Sequence, residues 1–125
     1  MRTFSAFAAL AALLIPASAF AADSPVPSTQ SLRGWTISLA PVLASQALDA
    51  SSSWGMRELN PVLAGSNGGF GGKAAGIKLG VTGALLGVEY LVIRKHPGSA
   101  KVFAKLNWAS AVVTTSFAVH NFTIR

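Results

Sequence analysis

Three apolar stretches alternate with short polar or glycine-rich ones along residues 35–122, and their lengths predict three helices at about 35–54, 73–93 and 100–122. Stretches of roughly 20 mostly apolar residues are long enough to cross the hydrocarbon core of a bilayer. The expected fold class is therefore all-α, a small transmembrane helical bundle of two or three spans. A further apolar run, Phe4–Ile15, follows Arg2 and leads through Pro16 to the small residues Ala17–Ala22, with A-x-A patterns ending at Ala19 and Ala21. This is the layout of a secretory signal peptide, assigned to residues 1–21, with an uncleaved anchor as the alternative. Residues 22–34 contain Ser24-Pro25-Val26-Pro27-Ser28 and read as a polar, extended linker. The domain organisation expected is signal peptide 1–21, linker 22–34 and helical membrane domain 35–125.

The first helix, 35–54, is the most polar of the three. Two tryptophans, Trp35 and Trp54, bracket it as residues of a bilayer interface do, but Pro41, Gln46, Asp49 and Ser51–Ser53 lower its hydrophobicity. Gln46, Asp49 and Ser53 fall at i, i+3 and i+7 and share one side, which is expected to face protein. In the second helix Gly76, Gly80, Gly83 and Gly87 form one narrow stripe along which a partner helix could approach closely, while Lys78, Thr82 and Glu89 lie opposite. That pattern predicts a central second helix, packed on two sides. The third helix carries Asn107, Ser110, Ala111, Thr114, Ala118 and Asn121 on one side and Trp108, Val112, Val119 and Phe122 on another, assigned to lipid.

Composition supports the membrane reading. Hydrophobic residues make up 51% of the 125 and charged ones 11%, against about a quarter charged in ordinary soluble domains. The formal net charge is +6, but the basic residues sit at the edges of apolar segments, which suits topology and lipid headgroups and not nucleic acid. A cleaved signal would leave the mature amino terminus outside, and three spans would then put Arg94, Lys95, Lys101 and Lys105 outside as well, against the positive-inside bias. Two readings resolve this: a two-span hairpin of the second and third helices, which satisfies both rules, or amino-terminal residues that are handled differently from a standard signal. In either version the basic turn 94–105 is expected to be cytoplasmic, in the inner membrane of a bacterial cell.

Chemistry is sparse. There is no cysteine, so neither disulfides nor thiolate sites arise. The run Gly65–Gly72 reads as turns or a mobile loop, and Gly72-Lys73 followed by Ala74 lacks the ending of a phosphate-binding loop. His96 and His120 have no ligand companion at i+3 or i+4, so no metal and no cofactor is expected. Ser51–Ser53, Asp49 and His120 contain the residue types of a hydrolytic triad, but no strained nucleophile turn marks one serine. Matched depths on antiparallel neighbours predict contacts between Asp49 and Lys78, and between Glu89 and Lys105 or Asn107. Glu58 is expected to pair with Arg57 or Lys73, and Asn60-Pro61 to form a turn or helix start.

The aspartate of Ala47-Leu48-Asp49-Ala50, the loop Glu58-Leu59-Asn60-Pro61, Lys78 and the basic turn together resemble a bacterial family of uncharacterised small membrane proteins, over about Trp35–Asn121. The resemblance implies a three-helix protein without an assigned activity, and marks Asp49, Glu58, Asn60, Pro61 and Lys78. The export signal departs from the family's commoner layout. The functional expectation is a non-enzymatic, structural or partner-binding membrane protein, in contact with the lipid bilayer and with a membrane-protein partner or a second copy. The alternatives are a small transport or ion/proton-pathway subunit using Asp49 and Glu89, and, ranked last, a membrane hydrolase.

Overall fold

The computed structural model describes residues 29–124, which are all-helical apart from connections: α1 (Thr29–Ser53), α2 (Gly72–Lys95), a 3₁₀ turn (Pro97–Ser99) and α3 (Ala100–Thr123). The expected signal peptide and the first part of the expected linker lie outside these residues. Residues 29–34, expected in the extended linker, belong instead to α1. Both prolines of the linker precede this stretch, so nothing in it bars helix. Helices α2 and α3, the latter with its 3₁₀ turn, are long and apolar enough to cross a membrane; α1 is less apolar.

α1 and α3 are the close pair. Ser38, Val42, Ser45, Asp49 and Ser52 are the buried residues of α1, and Asn107, Ala111 and Ala118 face them from α3. The spacing 4, 3, 4, 3 averages 3.5 residues, which keeps one seam pointed at a neighbour along the whole length of both helices. Side chains this small let the backbones approach. Asn107 reaches Ser38 and Asn121 reaches Ser52, each pair 69 positions apart, so the two helices run parallel in one register. Gln46 and Ser53 are only half-buried and Ser110 is exposed, so the seam is rotated from the face expected in α1 and is narrower than expected in α3.

α2 returns antiparallel and meets the pair sparsely, through a few polar side chains and a small apolar cluster of Ile93 with Ala100 and Phe103. Its glycine stripe does not pack within the chain: Gly76, Gly80, Gly83 and Gly87 are exposed, and a Cβ built on any of them meets nothing within 4 Å. The expectation of a central, doubly packed α2 is thereby corrected. Small residues on both facing surfaces are needed for close packing, and these occur on α1 and α3.

Each helix stops for a local reason. Pro97 disfavours helical backbone at His96, which takes φ −132° and ψ 76°, while Arg94 and Lys95 sit in the last turn where cations suit the helix dipole. Ser99 then donates from both N–H and Oγ to the His96 carbonyl, at 2.9 and 2.7 Å, and α3 begins. Between α1 and α2, where turns or a mobile loop are expected, the chain forms a hydrogen-bonded clasp. Gly55 N–H donates to Phe70 O at 2.9 Å, Phe70 N–H to Met56 O at 2.8 Å and Glu58 N–H to Gly68 O at 3.0 Å, around an antiparallel bridge of Arg57 with Gly69. Gly55 and Gly68 supply the positive φ values, 78° and 72°, that the reversal requires.

Candidate functional site

Two polar clusters link α2 to the α1–α3 pair. The first is the ion pair Asp49–Lys78, with Nζ donating to Oδ2 at 2.7 Å, the contact that their matched depths predict. Lys78 also lies over the Phe70 ring, 4.9 Å from its centroid. Phe70 is buried because the clasp anchors its backbone at both N–H and C=O, so the loop caps the pair at this end of the bundle. Thus the lysine is held by a carboxylate on one side and an aromatic face on the other. Among the described residues this is the single ion pair.

The second cluster centres on Glu89, which is buried. Its Oε2 accepts from Trp35 Nε1 at 2.8 Å and from Asn107 Nδ2 at 3.0 Å, and Asn107 Nδ2 also donates to Ser38 Oγ at 3.1 Å. One carboxylate thereby joins all three helices. Asn107, and not Lys105, is the residue of α3 that reaches it. The role of Trp35 was not visible in the sequence, where its position at the head of α1 marked it only as an interfacial aromatic; its indole N–H is a donor that a buried carboxylate can use. Trp35 also stacks on Tyr90, with centroids 6.2 Å apart.

Buried hydroxyls in the seam are satisfied by their own helix. Ser38 Oγ donates to Trp35 O, Ser45 Oγ to Val42 O and Ser52 Oγ to Asp49 O, at 2.6, 2.8 and 3.0 Å. These bonds make serine tolerable where no water enters. At the far end Asn121 Nδ2 donates to Ser53 Oγ at 2.9 Å and, longer, to Ser52 Oγ at 3.4 Å. The residue types of a hydrolytic triad are therefore present without its geometry. Ser51 Oγ donates to Ala47 O at 2.8 Å, and His120 is exposed.

In the loop, Glu58 pairs with neither Arg57 nor Lys73. Its Oε1 accepts the Asn60 N–H at 2.9 Å, and Lys73 Nζ donates to Ala64 O at 3.2 Å. Asn60 Oδ1 accepts the Val62 N–H at 3.0 Å, and Asn60 O accepts from Leu63 and Ala64, so Asn60-Pro61 opens a single turn. A short side chain two residues back is closer to an unpaired backbone N–H than any cation across the loop. A shallow open depression beside this turn is lined by Gly55, Arg57, Asn67, Gly68 and Gly69, none of them a nucleophile or general base. Among the described residues no three His, Asp or Glu side chains gather as metal ligands.

Comparison with protein-family models, with curated proteins and with solved structures finds no match to the chain.

Proposed function

We propose that this chain is a small integral membrane protein of structural or partner-binding role, whose three helices all cross the bilayer. The observation that carries the reading is the inverted distribution of polarity. Ser38, Ser45, Ser52, Asp49, Glu89 and Asn107 are buried inside the bundle, beside small residues such as Ala74, Ala100 and Ala118, whereas Val112, Val88 and Leu43 are 64%, 56% and 51% exposed. Only 17% and 22% of the apolar stretches of α2 and α3 are buried inside the protein, unlike the core helices of a water-soluble fold. Such a surface is stable in hydrocarbon and costly in water.

The parallel register supports a span for α1 as well. Its polar residues point into the seam, and its outer face, with Ile37, Ala40, Leu43, Ala44, Ala47 and Leu48, is apolar. Bound to α3 from Ser38 to Ser52, α1 shares its depth and direction. The start of α1 then lies on the same side as the basic turn 94–105, and the positive-inside bias makes both cytoplasmic, which requires that the apolar run Phe4–Ile15 does not act as a cleaved export signal. The resemblance to small three-helix membrane proteins points the same way. A structural role follows from how the ionisable groups are used: Asp49 and Glu89 are each bound by side chains of neighbouring helices and hold the bundle in register.

The test exploits the absence of cysteine. Leu32→Cys and Gly98→Cys are expected to stay protected from an impermeant maleimide in intact cells, and Ser66→Cys to be labelled. Labelling of Leu32→Cys together with Ser66→Cys would show that α1 does not cross, and release of the protein by alkaline carbonate would overturn membrane integration. A second reading, an ion or proton pathway, rests on Glu89, which has no cation within ion-pair distance among the described residues. It requires a flux in proteoliposomes that Glu89→Gln abolishes.

A further inference from the structure

The parallel register of α1 and α3 gathers cations that the sequence keeps far apart. Arg33 precedes Trp35 by two residues, and Trp35 bonds Glu89 nearly two turns before the end of α2. Ser38 is level with Asn107 in the second turn of α3. One end of the bundle therefore carries Arg33 from α1, Arg94 and Lys95 from α2, and Lys101 and Lys105 from α3, all exposed. None of the five forms an ion pair among the described residues. The carboxylate nearest this end, Glu89, is buried and turned toward Trp35 and Asn107. The opposite end differs: Arg57 is next to Glu58 in the loop, and Lys78 is neutralised by Asp49.

Beneath the charges lies an apolar floor. Ile93, Ala100 and Phe103 are buried together, with Trp35, Val92 and Leu106 packed against them. The Trp35–Tyr90 stack stands beside this floor, and the Arg94 guanidinium lies over Tyr90, 5.9 Å from the ring centroid. The aromatic pair marks headgroup level, since Trp and Tyr collect where apolar and wet regions meet. Arg94, one turn further out, is steered by a ring face and has no carboxylate to hold it, which leaves its N–H groups for an acceptor outside the protein.

From this arrangement we infer that the basic end, built from Arg33, Arg94 and Lys101 with Lys95 and Lys105 beside them, is a binding site for the headgroups of anionic phospholipids. The inference rests on the membrane reading above. A phospholipid supplies both parts the site asks for: a phosphate diester at the level of the cations, and acyl chains that follow the apolar flanks of α2 and α3 below it. A free phosphate would supply only the first. Each cation close to an anionic surface contributes about fivefold in affinity, so the clustered set discriminates strongly between anionic and zwitterionic lipid.

The experiment uses the full chain in nanodiscs of equimolar phosphatidylglycerol and phosphatidylcholine, with retained lipid identified by native mass spectrometry after release. The wild type is expected to keep phosphatidylglycerol over phosphatidylcholine by about tenfold or more, in line with two or more engaged cations. The triple variant Arg33→Gln, Arg94→Gln, Lys101→Gln should fall to near parity, while Arg57→Gln with Lys73→Gln at the opposite end should retain the wild-type preference. Equal retention by the wild type, or an unchanged triple variant, would overturn the site. Should the triple variant lose helix content, Lys101→Gln alone, at an exposed position, is expected to lower the preference about fivefold, and no change would count against the site. Excess inorganic phosphate should leave retention unchanged; displacement would assign the cations to a soluble anion instead. Alkaline carbonate extraction separates the two levels of failure: a protein released by carbonate refutes the membrane reading, whereas one that stays integral without lipid preference refutes this inference alone.

Discussion

Lys78 Nζ donates to Asp49 Oδ2 at 2.7 Å, across 29 positions of sequence and between two helices that touch each other sparsely. Because α2 packs so sparsely on α1, this contact and the Glu89 cluster carry a disproportionate share of its attachment. Removing one partner leaves the other charge in surroundings that solvate it poorly. Asp49→Ala and Lys78→Ala should each destabilise the bundle by about 1–3 kcal/mol, and the double variant should cost less than the sum. The check is a double-mutant cycle by thermal unfolding in mild detergent. Strict additivity would mean that the two residues do not interact.

Glu89 has a spectroscopic reporter in the indole that donates to it. With Trp54 and Trp108 replaced by phenylalanine, Trp35 emission should shift when Glu89→Ala removes the acceptor. Glu89→Gln, which keeps a carbonyl oxygen, should shift it less. Asn107→Ala is expected to cost about 1–3 kcal/mol, since it leaves both Glu89 and Ser38 short of a donor. A Trp35 spectrum indifferent to Glu89→Ala would place the indole elsewhere.

The small-residue seam and the glycine stripe should respond in opposite ways to the same substitution. Ser45→Leu or Ala118→Leu forces α1 and α3 apart and is expected to cost about 1–3 kcal/mol or more, whereas Ser45→Ala should be tolerated. Gly80→Leu meets open space, so it should leave monomer stability unchanged or raise it, because leucine is the better helix former by up to about 1 kcal/mol. Equal losses from Ala118→Leu and Gly80→Leu, measured as unfolding midpoints of the monomer, would show that α2 packs through its glycines after all.

The clasp depends on two backbone conformations. Gly68→Ala places a Cβ in the left-handed region at about 1–2 kcal/mol, and Gly68→Asn should cost less. Faster limited proteolysis between residues 55 and 71 is the expected readout for the alanine variant. The asparagine variant should fall between it and the wild type.

Much of this fold is local and therefore legible from residue order. Helix lengths follow from runs of apolar residues, the break at His96-Pro97 from the geometry of proline, and the level of Asp49 against Lys78 from counting residues along two antiparallel helices. The outward faces of α3, with Trp108, Val112, Val119 and Phe122, follow from 3.6-residue periodicity, and all four are exposed. Periodicity says which residues share a face, but not which face meets which. The pattern of α2, with glycines on one side and Lys78, Thr82 and Glu89 on the other, argues for α2 between α1 and α3. The structure instead pairs α1 with α3, whose small-residue faces meet along a seam of 3.5-residue intervals, although α2 carries a small-residue stripe of its own. That pairing turned Trp35 into a donor to Glu89, left the glycines of α2 without a neighbour, and brought Arg33 alongside Lys101. Glu58 shows the same boundary at short range: charge alone suggested Arg57 or Lys73, but the nearest backbone N–H, at Asn60, competes within two residues and takes the carboxylate. Sequence settles the elements and their chemistry; which surfaces meet is a comparison between alternative packings, and that is decided only when whole helices are fitted against one another.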